Sequence, residues 1–115
     1  MYQNRYEEIV ENSSKTERDG EGLALEHSIE LMEIAQASGI SSKESIEAQF
    51  FVNRLWVFFI EDLSSPENAL PEQVKADIIS IGIWMLRETE NIRRGESKDF
   101  LGLIEVSQAI REGLR

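Results

Sequence analysis

With 115 residues, 41% of them hydrophobic and 30% charged, the chain has the size of one domain and the composition of an ordinary globular protein. It contains no cysteine, which excludes a disulfide framework and any Cys-based metal or nucleophile site. Twelve Lys and Arg against 22 Asp and Glu leave a net charge of −10, which argues against direct RNA or DNA contact, because such binding rests on cations that neutralise phosphates.

The opening stretch, MYQNRYEEIVENSS, lacks a basic region followed by an apolar one, so no secretory signal is expected and a cytoplasmic setting is the default. Tyr2, Tyr6, Ile9 and Val10 recur at helical spacing over barely three turns. Glu11 to Gly22, ENSSKTERDGEG, is polar and carries two glycines, a composition that suits a flexible connection or a frayed helix start better than core. The expected organisation is an N-terminal arm and polar connection over residues 1–22 and a single helical bundle domain over residues 23–115.

The next helix is predicted from Leu23 to Ser38, stopping at Gly39, a residue suited to a left-handed helix terminus. Leu25, Ile29 and Met32 form its apolar stripe, which Leu31 and Ala35 widen. Glu26, Glu30 and Glu33 form the opposite face, with Leu23 and Ile34 among the acids and His27 near them.

Ser41 or Ser42 is placed to cap a second helix. Its body, IEAQFFVNRLWVFFIEDL from Ile46 to Leu63, is the stretch around which the chain is organised. Glu47, Arg54 and Glu61 sit at seven-residue intervals on one narrow stripe, Gln49 and Asn53 share a second gap, and the rest of the circumference is apolar. Such a helix is expected to be wrapped by neighbours. Five polar interruptions make it unsuitable as a membrane span, which needs about 20 mostly apolar residues. Exposure of Phe51 and Phe58, which flank the charged stripe, would favour a dimer.

Two prolines bracket the connection SSPENALP, and Pro71 fits the first turn of a third helix reaching Arg94 and stopping at Gly95. Val74, Ile78, Ile81, Met85 and Ile92 make one stripe; Ile79, Ile83 and Leu86 make an adjoining one. Gly82 falls within this apolar arc, where a missing side chain lets another helix approach. Trp84 projects elsewhere, among polar residues. Asp99 can cap a last helix from Phe100 to about Leu114, lined by Leu103, Val106 and Ile110. Short connections favour antiparallel neighbours, so the predicted fold is all-α: a compact antiparallel bundle of about four helices with a short N-terminal helical arm.

Chemistry-bearing patterns are scarce. The chain has one histidine, so any Ser-His-Asp arrangement would have to use His27. His27 and Glu30 share a helical face, but a carboxylate-bridged metal site needs Glu-x-x-His on two helices, and neither copy is present. The glycines form no phosphate-cradling loop. No catalytic site, metal or cofactor is expected. What remains is surface: Trp84 on the polar side of the third helix, Leu23 and Ile34 among acids, and Tyr2 and Tyr6 in the arm. Either these groups bury one another, with the arm folded over Trp84 or the first helix, or some of them form a groove for an amphipathic helix.

Three stretches resemble one known family: EAQFFVNRLWVFFIEDL, PENALPEQVKADIISIGIWMLRE and FLGLIEVSQAIREGLR. Together they are similar to the flagellar biosynthesis regulator FlaF family of alphaproteobacteria, from Tyr2 and Tyr6 to the terminal Gly113-Leu114-Arg115, with ISIGIWMLRE the most distinctive block. The resemblance implies a role in flagellin production without catalysis. It implies binding of flagellin, through that protein's amphipathic terminal helices, as a chaperone for export. It also implies action with FlbT, an RNA-associated regulator of flagellin translation. On that basis Tyr2, Tyr6, Ile83, Trp84, Leu23 and Ile34 are the expected partner-binding residues.

Overall fold

The computed structural model describes residues 2–113, with side chains from Gly20 onward. Four helices account for the described chain: α1 (Tyr2–Ser38), α2 (Lys43–Ser64), α3 (Glu72–Arg93) and α4 (Leu101–Gly113). No strand occurs among the described residues. The fold is an all-α bundle in which α2 packs against both α1 and α3, and α4 packs against α1.

Local sequence explains where the helices stop and turn. Gly39 adopts φ 104°, and its N–H donates to Ala35 O at 2.9 Å. A β-carbon would be strained there. Ser42 then begins α2 as its N-cap, its hydroxyl accepting from Ser45 N–H at 3.1 Å. Between α2 and α3, the Asn68 amide donates to Asp62 Oδ2 at 3.2 Å while its Oδ1 accepts from Leu70 N–H at 3.0 Å. Pro71 is the N-cap of α3, where its lack of an N–H costs nothing. The start of α4 is tied to α1 from across the bundle: Phe100 N–H donates to the Gln36 side chain at 2.7 Å.

The interior is built from the predicted stripes. Leu25, Met32 and Ala35 of α1 meet Val52, Leu55 and Trp56 of α2, and Met85 and Ile92 close the core from α3. Phe100, just ahead of α4, and Leu103 within it complete the core, and Phe100 is fully buried. Burial of each such large side chain contributes about 1.5–3 kcal/mol before entropy is counted. Gly82 does admit a neighbour: a β-carbon there would lie 2.9 Å from Trp56 Cε3 and 3.0 Å from Ile60 Cδ1.

Two expectations change. Residues 11–22 do not form a flexible connection, since α1 runs unbroken through Gly20 and Gly22. Each glycine penalises a helix by about 1 kcal/mol without forbidding it. The second change concerns α2, which is not wrapped all round. With α1 and α3 on two sides, its remaining face is open, and Ile46, Phe50 and Phe58 are 66%, 64% and 58% exposed.

Candidate partner-binding surface

The open face of α2 is built by helical spacing. Ile46, Phe50, Asn53 and Val57 follow one another at four-, three- and four-residue steps, which stacks them in one row along the cylinder. The row borders α3. Ile46, Phe50, Gln49 and Asn53 line a cleft of about 290 Å³ whose other wall is Thr89, Glu90 and Arg93. Glu90, Leu86, Ile83 and Ile79 form the facing row by the same spacing run backwards. Gly82 meets Trp56 and Ile60, and Glu90 lies across from Phe50, so the helices run antiparallel and Val57 comes level with Ile83. The result is an apolar seam, open to solvent, with Ile46, Phe50 and Val57 on one bank and Ile83 on the other, all four exposed.

Charge in and around the seam is arranged differently from the rest of an acidic chain. The Arg54 guanidinium stands 5.5 Å above the Phe50 ring. Its neighbours one turn away on the same face are Phe50 and Phe58, while Glu47 and Glu61 lie two turns off. Glu47 is itself 3.8 Å from Lys43. At the cleft, Arg93 and Arg94 both bind the single carboxylate of Glu90, with Arg94 Nε at 3.1 Å. The hydrogen bond from Arg93, reinforced by the charges of both arginines, pulls the Glu90 carboxyl from 4.5 to about 2. The same contact raises Arg93. Two guanidinium groups sharing one carboxylate leave a surplus positive charge at that end.

The structure places the expected site residues on several surfaces. Ile83 belongs to the seam. Trp84, the next residue, points about 100° away round α3; it is 36% exposed, and its ring edge lies 3.6 Å from where a β-carbon on Gly102 of α4 would stand. Leu23 and Ile34 are exposed on α1, three turns apart, and are not buried by a folded-back arm. The side chains of Tyr2 and Tyr6 lie outside the described residues. Periodicity alone did not single out Ile46, Phe50 and Val57, because in the sequence they are indistinguishable from their buried neighbours. The available clue was the polar stripe of Glu47, Arg54 and Glu61, which marks the side of α2 that faces water.

Phe51 is half-buried, its ring 4.9 Å from His27 in an edge-to-face contact. His27 Nδ1 is 3.9 Å from Glu30 Oε2, both side chains being exposed. Among the described residues no three His, Asp or Glu side chains converge as metal ligands would. None of the described helices is long and apolar enough to cross a membrane.

Comparison with known proteins supplies the context for this surface. No curated protein and no solved structure gives a significant match. A model of one family, described as flagellar protein FlaF, matches residues 2–114, nearly the whole sequence. The chain therefore belongs to the FlaF family of flagellar proteins.

Proposed function

We propose that this FlaF-family chain is a cytoplasmic, non-enzymatic chaperone that binds the amphipathic terminal helices of flagellin and so promotes flagellin synthesis and export. The observation that carries this reading is the set of large apolar side chains, Ile46, Phe50 and Val57, left in water along one row of the central helix α2. Contiguous apolar surface of this kind costs solubility and is the usual mark of a docking site. A helix-in-groove complex would cover it, and would at the same time cover the apolar stripe of a flagellin helix that must not assemble early.

A second reading is favoured by the charge. At −10 the chain is poorly suited to hold mRNA, so an effect on flagellin translation would have to pass through an RNA-associated partner such as FlbT, with this chain as an adaptor. Calorimetric titration of the purified chain with flagellin, FlbT and flagellin mRNA separates the two. Saturable binding of flagellin alone supports the chaperone; silence with flagellin and binding of FlbT moves the function to translational control.

A further inference from the structure

The α2–α3 seam has the length and the charge to specify what lies in it. From Ile46 to Val57 the row covers about 16 Å, room for three turns of a second helix laid alongside. The cleft of about 290 Å³ between Phe50 and Arg93 is a socket for one large apolar anchor. Directly over the row stands Arg54, which forms no ion pair among the described residues and packs on Phe50 instead. At the cleft rim Arg93 and Arg94 share Glu90. In a chain with ten more acidic than basic groups, the middle of this apolar strip and its cleft end thus carry Arg54 and the Arg93–Arg94 pair, while the carboxylates of Glu47 and Glu61 stand at its two ends, Glu47 beside Lys43.

We propose that the seam between α2 and α3 is the docking surface, and that its occupant is an amphipathic helix whose apolar stripe is flanked by carboxylates. The assignment rests on the flagellin-binding reading and adds to it a place and a charge. Apolar anchors at three- and four-residue spacing enter between Phe50, Val57 and Ile83. A carboxylate one turn away on the same helix meets Arg54, and another meets the arginine pair at the cleft. The α1 surface is a weaker host, since Leu23 and Ile34 stand singly there beside Glu26, Glu30 and Glu33, which would repel an acidic helix.

The test is calorimetric titration of the full chain with purified flagellin at two salt concentrations, with circular dichroism and sedimentation run on every variant. Phe50→Asp and Val57→Asp should each weaken binding about 30-fold, as expected for loss of a central apolar anchor. Ile83→Asp, on the opposite bank, gives the same information should Phe50→Asp unfold the protein. Arg54→Glu should weaken binding about tenfold and flatten its salt dependence, with Arg54→Lys within about threefold of the parent. Trp84→Ala, off the seam, should leave affinity unchanged.

Flagellin binding that survives the substitutions in the seam overturns the assignment while leaving the chaperone reading intact. Absence of flagellin binding by the parent chain overturns both. A dimer that Phe50→Asp dissociates gives the seam to a second copy and likewise overturns the proposal.

Discussion

Gly82 and Trp56 occupy what would otherwise be one side chain's space: a β-carbon at Gly82 would come within 2.9 Å of the buried indole. Alanine would gain about 1 kcal/mol of helix propensity. It would also press on both the Trp56 ring and the Ile60 side chain, so one of them or α3 itself must shift. Overpacking of this kind typically costs about 1–3 kcal/mol, so Gly82→Ala should lower stability by up to about 2 kcal/mol net. A urea midpoint shift to lower concentration at unchanged slope would show it.

Ser107 presents the opposite case. Its hydroxyl is buried in α4 with no hydrogen-bond partner. Removing an unsatisfied buried polar atom relieves a desolvation cost, and alanine is the better helix former. Ser107→Ala should therefore stabilise the chain by about 1 kcal/mol, read as a rise of a few degrees in Tm.

The turn and the helix interior should respond to alanine with opposite signs. Gly39→Ala places a β-carbon on a backbone at φ 104° and should cost about 1–2 kcal/mol. Gly20→Ala, inside α1 with nothing within 4 Å of the new atom, should gain up to about 1 kcal/mol. Thermal unfolding followed at 222 nm distinguishes the two.

Acid stability carries the mark of Glu90. Its carboxyl titrates near 2 in the folded chain, held down first by the hydrogen bond from Arg93, against 4.5 for an ordinary glutamate. A depressed folded value means that the contribution is present above 4.5 and is lost as pH falls towards 2. Glu90→Gln should therefore flatten that part of the acid-unfolding curve. NMR titration of the Glu90 side chain should give a midpoint well below those of its exposed neighbours.

What the sequence disclosed, and what it hid, follow from how far each feature reaches. Gly39, Ser42 and Pro71 were legible because turns and caps are decided by a few adjacent residues. Gly82 was legible as a point of close approach, since an unpunished glycine in an apolar arc needs a reason. The continuity of α1 through Gly20 and Gly22 was not, because a glycine penalty looks the same on paper whether it ends the helix or is absorbed. The open face of α2 was hidden for a different reason. Periodicity reports which side chains are apolar, not how many neighbours exist to cover them, and among the described residues the central helix packs chiefly against α1 and α3.

The pairing of α4 with α1 has a consequence for how the chain matures on the ribosome. Helices α1, α2 and α3 pack in the order in which they are made, so each can find its neighbour as soon as it emerges. The flank of α1 that receives Phe100, through the hydrogen bond to Gln36, has nothing to cover it until that residue appears. Closure thus waits on residues 100–113. A nascent chain stalled before them would hold three paired helices and an unfinished core, and would be the species most exposed to proteases and to premature capture by other apolar surfaces.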